Sequence, residues 1–134
     1  LFAQRVHDVL TLIAFVNQDD HGAKEIHLIA TGSAGPVAAA ARFQSGKVVS
    51  KAVIDTGGFR FVDLKSWRDP QFLPGVVRYG DLPGLLALNA PEELCILGEE
   101  DDIPTLTGDI YKIRGKAESV VTRPSLAEGL KWLE

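Results

Sequence analysis

The sequence predicts an α/β fold: three layers, αβα, with helices on both faces of a mainly parallel sheet. Three observations carry that prediction. Short apolar, β-branched-containing runs alternate with helical patterns along the whole chain. The runs inside Lys51–Asp55 and Glu93–Gly98 are unbroken apolar stretches, as strands buried on both faces are. No internal repeat, low-complexity tract or linker divides the chain, so residues 1–134 form a single domain.

Phe2, Val6, Val9, Leu10, Ile13 and Val16 recur at helical spacing, and the polar turn from Asn17 to Gly22 ends that amphipathic helix. Glu25–Ala30 is the first strand. After the tight turn Thr31-Gly32-Ser33-Ala34-Gly35, Pro36 suits a first helical turn, where its missing N–H costs nothing. Val37–Phe43 is alanine-rich and helical, and Ser45-Gly46 closes it. Lys51–Asp55 is the second strand. Phe59–Pro74 reads as an irregular loop or small cap. A short helix over Leu82–Ala90 precedes the third strand, Glu93–Gly98, and then the acidic cluster Glu99-Glu100-Asp101-Asp102. Asp102–Gly115 is ambiguous, with room for a short helix. Glu118–Thr122 is a fourth strand, and Ser125-Leu126-Ala127-Glu128 is a capping box opening a terminal helix.

Composition narrows the function. The 134 residues are 46% hydrophobic and 24% charged, with a net charge of −4, enough for one compact core. This mild acidity, with Lys and Arg scattered, argues against nucleic acid. No apolar stretch approaches the roughly 20 residues of a membrane helix. The single cysteine, Cys95, lies in an apolar run and reads as a buried, inert thiol. No residue cluster has metal-ligand spacing, and no cofactor is expected. The chain starts at Leu1, has no methionine and enters directly into a helical pattern. It is therefore expected to be part of a longer polypeptide. No targeting segment is evident, so localisation is left open. Four strands make a small open sheet, and an edge or face is expected to need the remainder of a longer chain or a second copy.

A sharp turn between a buried strand and a helix has two uses. It can hold a nucleophile at the sheet's carboxyl edge, or present N–H groups to an anion at the helix start. The turn after Ile29 lacks a P-loop's Gly-Lys-Ser/Thr and the third glycine of a dinucleotide fingerprint. The run Ile26–Pro36 resembles the nucleophile elbow of the α/β-hydrolase family. Asp55-Thr56-Gly57-Gly58-Phe59-Arg60-Phe61, Asp69–Gly75 and Tyr79-Gly80 resemble a bacterial branch of acetylxylan-esterase-like hydrolases. The resemblance covers nearly the whole chain. It implies the C-terminal half of an α/β-hydrolase fold, carboxylic-ester chemistry, an ester or carbohydrate ligand, and early strands supplied by preceding sequence.

Two registers of the elbow are open. In one, Ser33 is the nucleophile and Gly35 fills the small position two residues on, with Thr31 where the family has glycine. In the other, Gly32 occupies the nucleophile position, Ala30, Ala34 and Gly35 are the small residues, and Ser33 is a capping or solvent-facing hydroxyl. The second fits the helix start better. Backbone N–H groups at Gly32, Ala34 and Gly35 are candidates for an oxyanion or anion. The resemblance places the triad acid at Asp101 or Asp102, with Asp55 as the alternative; a solvated loop is the plainer reading of that cluster. The base should follow the last strand, yet Val121-Thr122-Arg123-Pro124-Ser125 holds no histidine, and His7, His21 and His27 all precede the elbow. A complete triad is not present, which favours a non-catalytic scaffold or binding half-domain over an ester hydrolase. Phe61, Trp67, Phe72 and Tyr79 are the candidates for a ligand-facing loop, against the plainer account that they pack that loop onto the domain.

Overall fold

The computed structural model describes residues 1–19, 22–100 and 102–134. Five α-helices and four strands alternate among the described residues: α1 (Phe2–Asn17), β1 (His27–Ala30), α2 (Gly35–Ser45), β2 (Lys51–Asp55), α3 (Asp81–Ala87), β3 (Glu93–Leu97), α4 (Thr105–Ile113), β4 (Val120–Thr122) and α5 (Leu126–Leu133). The strands form one sheet in the order β1-β2-β3-β4, every pair parallel. All four strands thus end at one edge, where the residues after Ala30, Asp55, Leu97 and Thr122 gather. The three-layer αβα fold follows from which side chains each strand sends to each face.

Ala52, Ile54, Leu94, Ile96 and Val120 point to one face and share a core with α1 to α4 through Phe2, Val6, Val37, Leu82, Leu86 and Tyr111. Val53, Cys95 and Leu97, the alternate residues of β2 and β3, point the other way and pack against Trp132 and Leu133 of α5. Ile54, Leu94 and Ile96 are wholly buried, as strands covered on both sides must be. Desolvation pushes the Cys95 thiol up to about 11, so it is protonated and inert at neutral pH.

α2 lies closest to the sheet because its side chains are small: Ala38 to Ala41 are all buried. Its first residue, Gly35, sits so near β2 that an added Cβ would land on the Asp55 carbonyl oxygen. Near its other end Arg42 is fully buried. One Nη2 bond of 2.9 Å to the Val49 carbonyl holds it there and closes the turn into β2. Desolvation lowers the Arg42 pKa, and the fields of Tyr111 and Glu92 oppose that shift.

Element boundaries differ from the sequence reading where local turns intervene. β1 begins at His27, because Glu25 is exposed and outside the pairing. Ala117–Ser119 forms a 3-10 turn that delays β4 to Val120. α3 stops at Ala87, and tight turns carry the chain on, with Asn89 N–H bonded to Leu86 O at 3.1 Å and Ala90 N–H to Ala87 O at 3.1 Å. The ambiguous region after Asp102 contains α4. The capping box is half formed: Ser125 Oγ accepts from Glu128 N–H at 3.3 Å, while the Glu128 carboxylate meets Lys131 instead.

The Gly35 contact yields a direct prediction. Gly35→Ala should destabilise the domain by about 2 kcal/mol or more, because the new methyl meets backbone rather than a side chain that can turn away. Urea unfolding compared with Ala34→Gly, on the exposed side of the same turn, measures this. Equal losses in the two variants would contradict the close approach.

Candidate functional site

Thr31 is extended (φ −124°, ψ 156°), and the chain then reverses at Gly32, whose φ is +57°. Gly32 to Ala34 make a 3-10 turn leading directly into α2. Gly32 is thus the tip of the strand–turn–helix bend, in the left-handed region that glycine enters without penalty. A Cβ built there meets nothing within 4 Å. Ser33 is one residue past the tip. Its carbonyl accepts a 2.7 Å bond from Gln71 Nε2, which ties the long loop after β2 to the elbow. The Ser33 side of the turn borders a shallow hollow of about 240 Å³ with Arg5, Asp8 and Val9 of α1.

Further along the same edge lies an open cleft of about 650 Å³ between the loops after β2 and β3, bordered by Gly58, Arg60, Glu99, Asp102 and Thr105. A polar clamp forms one wall. Arg60 grips the Glu99 carboxylate with both nitrogens, Nη1 at 2.9 Å and Nη2 at 2.7 Å. The buried Thr56 hydroxyl lies 2.6 Å from Glu99 Oε1 and accepts from Gly58 N–H at 3.2 Å. Desolvation by itself raises the Glu99 pKa; hydrogen bonds from Arg60 and Thr56, with the Arg60 charge, outweigh it and hold the carboxyl below its usual value. The bond to Glu99 in turn raises Arg60. Sequence alone did not single out this clamp, because its partners lie 39 residues apart and Glu99 stands in a run of acids.

Asp102 borders the cleft and is exposed, while Asp101 and His21 lie outside the described residues. Asp55 spends Oδ1 on Gly57 N–H at 2.9 Å, shaping the turn after β2. His27 opens β1 beside Glu25, 3.2 Å away. At roughly 3.3 Å per residue, the strand carries the elbow roughly 15 Å from it. His7 is exposed on α1 and does not border the hollow at Ser33. After β4, Arg123 donates Nη1 to its neighbour's carbonyl, Thr122 O, at 2.8 Å.

The loop aromatics do not converge on one pocket. Phe61 is buried, edge-on to Phe2 (5.6 Å) and Phe59 (4.9 Å), so it serves the core and is not ligand-facing. The Asp81 carboxylate fastens the same stretch by accepting from Phe61 N–H at 2.7 Å and Val62 N–H at 3.0 Å. Trp67 is exposed beneath the Arg68 guanidinium, 4.9 Å from its ring centre. Phe72 is exposed, and Tyr79 borders a separate hollow between α3 and α4 with Leu106 and Ile110. Among the described residues no group of three or more His, Cys, Asp or Glu side chains is placed to hold a metal ion, and no helix is long and apolar enough to cross a membrane.

The fold and this edge define the class as an α/β protein with a four-stranded parallel sheet and a strand–turn–helix bend at its carboxyl end. No protein family, curated protein or solved structure matches the chain.

The clamp gives the domain an acid-sensitive component. Because folding lowers the Glu99 pKa, its contribution is complete above the unfolded value and is lost as pH falls through the folded one. Glu99→Gln should cost about 1–3 kcal/mol at pH 7, and the gap from wild type should shrink as pH falls through the acidic range. Denaturant unfolding at pH 7 and pH 3.5 tests this. A gap of the same size at both would assign Glu99 a role in which its charge does not matter.

Proposed function

We propose that this chain is the elbow-bearing half of an α/β-hydrolase-like domain, and that it works as a non-catalytic scaffold or binding unit alongside further polypeptide. The observation that carries this reading is Gly32 at the tip of the elbow, where the fold presents a nucleophile and this chain presents no side chain. Two further facts support it. The loop after β4 contains no histidine, and without a general base a serine hydroxyl is a poor nucleophile near neutral pH. What the bend retains is its backbone. Ala34 N–H is spent on Thr31 O at 3.2 Å and Gly35 N–H on Gly32 O, and Pro36 has none, so those two candidate donors are withdrawn. Gly32 N–H is the one left for a carbonyl oxygen or anion of an ester or carbohydrate ligand, bound without being cleaved. The relation to acetylxylan-esterase-like hydrolases rests on the sequence resemblance at the elbow and the loop after β2.

The partner half of the proposal rests on coverage. β1 is an edge strand, and its Ile29 is 45% exposed although its register partner Val53 is wholly buried. The remainder of a longer chain, or a second copy, would cover that edge.

An enzyme reading would use Ser33 with Asp102 or Asp101. Labelling with a fluorophosphonate and turnover of p-nitrophenyl acetate separate the two readings. We expect no covalent adduct at Ser33, and background hydrolysis unchanged in Ser33→Ala. Serine-dependent turnover lost in that variant would overturn the proposal. Gly32→Ser should fold with a cost of about 1 kcal/mol, since its Cβ enters open space at a positive φ, and should still fail to turn over ester.

A further inference from the structure

Among the described residues, one short helix provides the cover on the second face of the sheet. α5, eight residues long, lies over β2 and β3, and beneath it Val53 and Cys95 are wholly buried and Leu97 is 3% exposed. Its attachments are few. Gly129 comes close enough that an added Cβ would lie 2.9 Å from Val53 Cγ1. Trp132 and Leu133 pack on the same small cluster. Lys51, on β2, reaches the carbonyl oxygens of Trp132 (3.4 Å) and Leu133 (3.3 Å), and its ammonium stands 5.3 Å from the Trp132 ring centre. Leu126 and Leu130 remain 41% and 42% exposed, and Gly129 is the one buried residue of the helix.

This attachment is separable from the rest of the fold. Among the described residues, no α5 side chain belongs to the larger core, which joins α1 to α4 with the opposite face. The sheet also keeps its pairing without α5, since β3 bonds to β2 on one side and β4 on the other. A helix of this length is far too short to persist unsupported in water, so once lifted it unravels. Elements with few buried apolar contacts open at free energies below that of global unfolding.

We propose that α5 is a detachable cover. It undocks as a unit while the sheet and α1 to α4 stay folded, and its departure bares the apolar face built from Val53, Cys95 and Leu97. That face is continuous with the already exposed Ile29, because Ile29 and Val53 are register partners on adjacent strands. The domain therefore has two states of one surface: half-covered with α5 docked, and open from β1 to β3 with it released.

Cys95, the chain's single cysteine, is a built-in probe of the opening. It is shielded and protonated when α5 is docked. On release its thiolate attacks 5,5′-dithiobis(2-nitrobenzoate), forming a mixed disulfide and expelling one thionitrobenzoate. We expect labelling in the absence of denaturant at a rate nearly independent of low urea concentrations, the signature of an opening that exposes little surface. Lys51→Ala should accelerate it about fivefold or more, through the lost carbonyl and ring contacts. Gly129→Ala should act in the same direction. Hydrogen exchange gives a second readout: α5 amides should exchange well before those of β2, β3 and α2. Labelling that rises with urea along the full slope of global unfolding, or equal protection of α5 and the sheet, would overturn the proposal.

Discussion

A parallel sheet must bury both of its faces, and this chain covers its two faces very unequally. Four helices lie over the face that carries Ala52, Ile54, Leu94 and Ile96, and one eight-residue helix lies over the other. The asymmetry comes from the strand order. With β1 to β4 laid down in sequence, crossovers of the same hand place α2, α3 and α4 on one side. α1 joins them by packing on α2. Among the described residues the opposite side receives the segment after β4, and α5 lies over β2 and β3 but not β1. The exposure of Ile29, the free edge of β1 and the loose seat of α5 are three consequences of one topological fact.

The same layout makes the carboxyl edge a place of close backbone approach. α2 can lie against β2 because it begins with glycine and continues through alanines, and the Gly35–Asp55 contact sets how near the elbow stands to the loop after β2. That proximity brings Gln71 within reach of the Ser33 carbonyl. Across the edge, Arg60 and Thr56 from the β2 side meet Glu99 from the β3 side and neutralise the carboxylate that points toward the cleft. The result is a wall whose strong polar groups are largely satisfied by one another. Such a wall gives the edge shape and rigidity, and leaves less charge to act on a ligand.

The strands and the main helices were legible in the sequence because each had a local signature. Continuous apolar runs marked β2 and β3, helical spacing marked α1, and a serine cap marked α5. Contacts made by distant residues had no such signature. Nothing local in the alanine-rich helix marks Arg42, yet it is fully buried against the Val49 carbonyl. Phe61 read as a candidate for facing ligand because aromatic side chains suit both pockets and cores, and its burial depends on Phe2, 59 positions earlier. The elbow shows the same limit. Two registers could be laid on the same letters, one with Ser33 and one with Gly32 at the nucleophile position, and the letters alone do not say which of the two carries the positive φ that the folded turn gives to Gly32.

Packing at the start of α2 separates the shape of the elbow from its chemistry. The bend is determined by residues behind the tip: Ala30 buried in the sheet, Gly35 against β2, Pro36 in the first turn of α2. The tip itself touches nothing, since a Cβ at Gly32 would project into open space. A side chain there contributes little to the packing of the domain, so its removal leaves strand, turn and helix where they were. The reverse does not hold, because a side chain at Gly35 would collide with backbone that has nowhere to move. An elbow of this construction keeps its geometry with or without a nucleophile. The turn's own hydrogen bonds, Ala34 N–H to Thr31 O and Gly35 N–H to Gly32 O, keep their places with it, because none of them involves an atom at the tip's side-chain position.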